Sequence, residues 1–315
     1  MLFAILTTVF FALSAVSATR TANLMGGNEA NFWRLSLSTL FLAILAHTFG
    51  MGLGGPAFHI LFVSGLIGFG IGDVALFQAL PRIGSRLTVM LVHCLTAPMA
   101  VLTEWWWMGT KMTAGEIICA VGILTGVAIA LAPKDHLHIP RKTFWWGIHW
   151  AIWAAIGQAG GVVLSRVAYA MPGGDQLDGL TTAYQRIIAG TIVAGFCVLF
   201  VKRSYLAGWS NPRADEEEEK TSGSRILTGK AKWKSSGGWL AVNALSGATL
   251  GVSCYQWALK VEKPGVVLPI VALAPLFVIP MALVMEKEKP TARSLAGGFI
   301  AVGGAVALAW LKTRS

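Results

Sequence analysis

The chain has 315 residues, 55% of them apolar and only 13% charged, with 25 Lys and Arg against 15 Asp and Glu. A mean hydropathy of +0.64 excludes intrinsic disorder, which needs low hydrophobicity, and a soluble domain, whose surface needs about twice this share of charge. The net charge of +10 is spread between apolar runs instead of along one face, which speaks for Lys and Arg flanking membrane spans and against a nucleic-acid partner.

At about 20 residues per span, ten apolar segments are predicted in chain order: 2–19, 31–49, 58–80, 84–108, 113–132, 143–166, 180–202, 237–260, 264–285 and 290–311. Val16-Ser17-Ala18 resembles a signal-peptide cleavage site, but no Lys or Arg precedes this apolar run, so the first segment is read as a retained helix. Cys94, Cys119, Cys197 and Cys254 all fall within apolar runs and form no C-x-x-C pair. Neither zinc nor a disulfide framework is expected. The stretch 203–236 contains Asn211-Pro212, the acidic run from Asp215 to Glu219, and Lys230, Lys232 and Lys234. Its composition predicts a solvated loop.

An internal repeat organises these segments. Gly68, Gly72 and Ala79-Leu80 share their spacing with Gly247, Gly251 and Ala258-Leu259. Ala97-Pro98 in the fourth segment matches Ala274-Pro275 in the ninth, and Ala128-Ile129-Ala130-Leu131 matches Ala305-Val306-Ala307-Leu308. Upstream, Thr19-Arg20 corresponds to Ser165-Arg166, and Arg34 and Arg186 open the second and seventh segments. Five matches in one order predict two copies of a five-helix unit, at 1–132 and 143–311, the second interrupted by the polar loop 203–236. An odd number of spans per copy forces opposite orientations. The expected fold is therefore an all-α integral membrane protein with ten transmembrane helices as two inverted five-helix repeats, the plan of secondary transporters with a site between the halves.

The paired Gly-x-x-x-Gly…Ala-Leu and Ala-Pro segments resemble the EamA type of the drug/metabolite transporter superfamily, over the whole chain apart from loop 203–236. The resemblance implies ten helices, no metal or organic cofactor, no enzymatic activity, and movement of a small metabolite, often export of an amino acid or related compound. One departure concerns the Gly-Glu pair usual where the fourth helix leaves the membrane. Here the chain reads Met108-Gly109-Thr110-Lys111, and the matching Met285-Glu286-Lys287-Glu288 keeps acids without the glycine. No role passes to Thr110.

Charged groups inside spans are costly and face a cavity or one another. Arg86, His93 and Glu104 are separated by 7 and 11 residues, so they share one stripe of the fourth segment, with about 27 Å between the outer two. One reading is a polar path; in the other, Arg86 and Glu104 reach the two interfaces beside Trp105-Trp106-Trp107. His93, deeper, is expected to line a cavity. Asp73 follows Gly72 well inside its segment and needs a partner, a proton or a wet cavity. Val252 stands at its place in the second repeat. Trp150 and Trp153 are candidates to wall a pocket or to pack against Gly157 and Gly160. Gln158, Asn243, Tyr255 and Gln256 offer uncharged hydrogen-bonding groups for a ligand or for neighbouring helices. Gly68, Gly72, Gly247 and Gly251 are expected to let helices approach closely, and Pro98 and Pro275 to kink theirs.

The expected function is a secondary transporter in the cell's inner or plasma membrane, its partners a small-molecule solute and the lipid bilayer, with a homodimer open as an assembly. Two alternatives stand beside it: a membrane-embedded enzyme using Asp73, His93 and Glu104 on a lipid-linked substrate, and a sensor or assembly subunit docking a partner through 203–236. Orientation sets two rules against each other. Seven Lys and Arg lie on the side of the termini and 18 on the other, so the positive-inside rule puts the termini outside, whereas the family resemblance puts them in the cytosol. A reporter fused after Ser315 reads the side directly.

Overall fold

A computed structural model describes residues 2–108, 113–130, 139–206, 229–261, 267, 270–286 and 291–314, apart from some side chains, those of 103–108 among them. Among the described residues every regular element is helical. Helices α1 (Leu2–Met25), α2 (Gly27–Phe49) and α3 (Phe58–Gly65) are followed by a π-helical segment, Leu66–Asp73, which runs directly into α4 (Val74–Met108). Then come α5 (Ala114–Ala130), α6 (Arg141–Ala170), α7 (Gly179–Leu206) and α8 (Gly229–Asn243), a second π-helical segment, Ala244–Gly251, and α9 (Val252–Val261), α10 (Ala274–Met285) and α11 (Ala292–Arg314).

Among the described residues five stretches are long and apolar enough to cross a membrane: Leu2–Met25, Gly27–Phe49, Phe58–Thr96, Arg141–Ala170 and Gly179–Val201. Ala114–Ala130, Ala274–Met285 and Ala292–Leu308 are shorter apolar helices. Helices suit such a sequence because each satisfies its own backbone where water is absent. Their outer faces carry large apolar side chains: Phe196 and Phe200 are each 68% exposed, as a lipid-facing surface requires.

The stretch Phe58–Thr96 is not one straight rod. Gly84 has φ 74° and ψ 169° inside α4, a conformation that L side chains rarely adopt. The break falls at the first residue of the predicted segment 84–108. Gly84, not Pro98, is thus where this element leaves helical backbone values. The two π-helical segments coincide with the two Gly-x-x-x-Gly stretches, Gly68–Gly72 and Gly247–Gly251. Wide π turns are uncommon and concentrate at functional sites.

Close packing fixes the neighbours. α4 lies along α6, α5 along α11 and α2 along α7. At the α5–α11 contact, a Cβ on Gly126 would come within 2.7 Å of the Gly297 carbonyl oxygen, and one on Gly297 within 2.6 Å of the Gly126 oxygen. Gly157 of α6 sits the same way on Gly72, where an added Cβ would come to 2.6 Å from the Gly72 backbone. Small residues let the helices approach this far. Caps set two helix starts. Thr113 and Glu116 exchange the bonds of a capping box, at 2.7 and 3.3 Å, and Asp178 accepts the Leu180 and Thr181 N–H groups at 2.8 and 2.9 Å.

Three expectations need correction. The polar stretch 203–236 is helical at both ends, since α7 runs to Leu206 and α8 starts at Gly229; the intervening 207–228 lies outside the described residues. Composition misled there because Lys232 and Trp233 are held by Glu29 and Trp33 of α2. The segment 264–285 is not one helix: a turn at Ala272–Leu273 precedes α10. Pro275 accordingly stands in the first turn of α10, where its missing N–H costs nothing, and kinks no helix interior.

Valine at Gly126 or Gly297 forces α5 and α11 apart. We expect a loss of about 1–3 kcal/mol, read as a lower unfolding temperature in detergent. A Cβ on Gly122, also in α5, meets nothing within 4 Å, so Gly122→Val leaves that temperature unchanged.

Candidate functional site

A cavity of about 100 Å³ opens between α1, α2, the first π segment, α4, α6, α7, the second π segment and α9. A water molecule needs about 10–15 Å³ on the same measure, so the space admits several waters or a small solute. Three charged groups reach it: Arg34 from α2, Asp73 from the end of the first π segment and Arg186 from α7, with exposures of 4%, 5% and 5%.

The two arginines are held differently. Arg34 forms an ion pair with Asp73, donates to Asn31 Oδ1 at 3.1 Å, and lies over the Phe77 ring at 4.9 Å. Arg186 lies over the Phe69 ring at 5.4 Å and has no hydrogen-bond acceptor among the described residues; its Nε, like that of Arg34, is buried and unpaired. Its guanidinium has a built seat. A Cβ on Gly68, or on Gly161 of α6, would come to 3.0 Å from Arg186 Nη2. Gly68 therefore serves the cavity as well as helix packing.

Of the candidates read from sequence, Asp73, His93, Gln158 and Tyr255 share this wall, with Gly68 and Gly247. Phe11 of α1 stacks on His93 at 5.9 Å and tilts against Tyr255 at 6.0 Å between ring centres. Beyond these rings a second cavity of about 30 Å³ shares Phe11, His93, Gln158 and Tyr255 and adds Thr96 and Ala305. None of His93, Gln158 and Tyr255 makes a side-chain hydrogen bond among the described residues. A Cβ on Gly251 would meet the Phe11 ring at 2.9 Å, so this glycine seats Phe11.

Other candidates lie elsewhere. Asn243 is one layer back: its Oδ1 accepts from Ser14 Oγ at 2.8 Å, and Ser14 lines the cavity. Gln256 Oε1 accepts from the Tyr169 hydroxyl at 3.2 Å, away from the wall. Arg86 donates to Ser294 Oγ at 2.7 Å and ties α4 to α11. Trp150 and Trp153 both contact His149; Trp153 is 44% exposed on the outer side of α6, Trp150 is half-buried against the apolar core, and neither lines the cavity. Glu104 falls outside the described side chains, as do Gly109, Thr110, Lys111, Lys287 and Glu288. Of the two described side chains of the predicted stripe, Arg86 and His93, it is His93 that reaches the cavity.

Arg34 and Arg186 were read only as markers of segment starts. Both stand seven residues into their helices, after Gly27 and Gly179, or about 10 Å along the axis. Their matched place in the repeat was the available signal. Among the described residues no group of three His, Cys, Asp or Glu is placed to hold a metal ion.

The model of the EamA-like transporter family matches residues 1–132 and 145–310. No curated protein matches the chain. Among 28 matching solved chains, one titled only "Crystal structure of protein" is 16% identical, with a TM-score of 0.63 over 99% of this chain and 97% of its own. That likeness concerns the fold.

Asp73→Asn leaves Arg34 buried without its counter-charge. The expected cost is about 3–5 kcal/mol, measured by thermal unfolding in detergent. Arg34→Gln combined with Asp73→Asn recovers part of it; strictly additive losses in that cycle would show the two groups to be uncoupled.

Proposed function

We propose that this chain, which belongs to the EamA-like transporter family, moves a small organic metabolite across a membrane by alternating access between two inverted five-helix repeats. The chain is an integral, multi-pass membrane protein. Its cavity carries the proposal. Buried charge from both matched stretches converges on one small chamber, Arg34 and Asp73 from the first and Arg186 from the second, with the neutral Tyr255 beside them. Charge is placed at such depth in a bilayer where a solute path needs it.

Several observations support two related halves and ten spans. The family match falls into two stretches of similar length. Each Gly-x-x-x-Gly stretch is π-helical, and the two arginines stand at equal depth in α2 and α7. Inverted halves give outward-open and inward-open packings of comparable energy, and a solute shifts the population between them. Candidate closures flank the chamber. On one side Lys232 of α8 pairs with Glu29 of α2 at 2.7 Å, and Trp233 meets Trp33 edge-on at 5.1 Å. Elsewhere Gln185 of α7 donates to the carbonyls of Gly52 and Gly54 at 3.0 and 2.7 Å, and the Met51 N–H donates to Thr181 Oγ1 at 2.8 Å. Access from either side requires one set to part while the other holds. The inner or plasma membrane is the proposed location.

Counterflow in proteoliposomes, over amino acids, nucleosides, sugars, amines and organic acids, tests this function. Exchange of an unaltered solute is expected; a chemically changed product with no exchange would overturn transport. A reducible bifunctional thiol cross-linker joining Trp33→Cys to Trp233→Cys locks one closure. It should abolish exchange, and a reductant should restore it; unchanged exchange in the cross-linked protein would remove this contact from the cycle.

A further inference from the structure

We infer that the transported solute carries an anionic group, a carboxylate or a phosphate, and that this group pairs with Arg186. The inference rests on the transporter proposed above and names the chemistry of its cargo.

Arg186 presents the clearest unmet demand in the described chain. Its guanidinium carries five donors and a permanent charge, is 5% exposed, lines the cavity, and finds no hydrogen-bond acceptor among the described residues. A buried charge without a counter-charge costs several kcal/mol. Phe69 covers one face of the guanidinium and Gly68 and Gly161 make room for Nη2, so the group is seated, not stranded. What it lacks is an acceptor.

The other half of the molecule supplies the comparison. There the corresponding arginine, Arg34, is answered by Asp73 from the neighbouring Gly-x-x-x-Gly segment. Counting from the paired glycines, the place of Asp73 is taken by Val252 in the second repeat. Val252 lies on the same cavity wall. The second half thus keeps the cation and replaces the carboxylate by an apolar side chain. Asp73 lies within electrostatic range of Arg186 as well, but its Oδ2 accepts from Arg34, so the wall holds two guanidiniums and one carboxylate. The missing negative charge belongs to the solute. A carboxylate or phosphate matches the planar fork of a guanidinium and forms strong charge-assisted bonds in a dry site. His93, Gln158 and Tyr255, which make no side-chain hydrogen bond among the described residues, are left to read the uncharged remainder.

Purified full-length protein in detergent is heated with matched probes: succinate and succinamide, L-alanine and L-alaninamide, glycerol 3-phosphate and glycerol. The expected result is a raised unfolding temperature with the carboxylates, the phosphate, or both, and none with their amides or glycerol; the pairs separate the two anion chemistries. Arg186→Gln should weaken anion binding about 100-fold, consistent with loss of a desolvated charge pair, and Arg186→Lys should retain part of it. Val252→Asp supplies the absent carboxylate and should abolish anion binding while leaving the unliganded protein folded by gel filtration and no less stable to heat. Should Arg186→Gln fail to fold, Val252→Asp and Arg186→Lys decide. Stabilisation by the neutral members, no stabilisation by any anion, or an unchanged anion response in Val252→Asp overturns the inference. The probes that bind are then tested by counterflow: binding without exchange removes transport and leaves the anion site, whereas exchange of neutral solutes alone keeps transport and removes the anion site.

Discussion

The buried ion pair between Arg34 and Asp73 is the interaction around which the cavity is organised. In a bilayer neither group can borrow water, and an isolated charge at this depth is far more expensive than a paired one. The pair therefore ties α2 to the first π segment wherever the chamber is dry, and the Phe77 ring beneath Arg34 closes off what the carboxylate does not cover. Everything else at the site is arranged with respect to it. Arg186 approaches from α7, and Phe11, His93 and Tyr255 complete the wall with aromatic surface.

Such a chamber can exist only if the surrounding helices come unusually close elsewhere. Gly157 on Gly72 and Gly126 against Gly297 bring backbones into contact, which gives tight seams in a lipid environment that offers little hydrophobic drive between helices. Directly beside those seams the two π segments widen the backbone. An extra residue per turn rotates everything that follows it, and in the first segment the residue so placed is Asp73 at its end. Tight seams and loosened turns thus occur together, the first closing the bundle and the second opening room inside it.

Part of this was legible in the sequence, through polar groups set within apolar runs. Asp73, His93, Gln158 and Tyr255 stood out as polar groups in apolar runs and share the cavity wall. Arg34 and Arg186 did not, although the repeat had paired them, because apolar content marks where a span becomes hydrophobic and not where its helix begins. α2 starts at Gly27, four residues before the apolar run suggested, and that one turn moves Arg34 from a flank to the interior. Helical spacing failed along the fourth segment for a different reason. Arg86 and His93 belong to one predicted stripe, but α11 offers Ser294 to Arg86, and a stripe cannot say which neighbour it meets. The tryptophans of α6 misled through their chemistry: aromatic surface suits a ligand wall and a lipid face equally well, and Trp153 faces outward. Lys232 and Trp233 lie in a stretch whose composition looks like loop, yet contacts with α2 hold them in helix.

The two stretches matched by the family each carry a π-helical Gly-x-x-x-Gly segment but differ in charge, and in the proposed transporter the difference has an energetic consequence. A transporter built from inverted copies gains near-equal outward and inward states from symmetry, but symmetry alone does nothing to prevent empty transitions between them. Arg34 is neutralised by its own half in every state that keeps α2 against the first π segment. Arg186 is not. When the chamber is open to water its guanidinium is hydrated, and when the chamber closes empty that hydration is lost with nothing to replace it. An empty occluded state is thereby raised by an unpaired buried charge, a penalty on the order of several kcal/mol, whereas a solute bearing the complementary charge removes it. A differential of this kind is what allows a ligand to shift a conformational equilibrium at all. The substitution of Val252 for a carboxylate would be a defect in a structural protein; in a carrier it makes closure conditional on cargo.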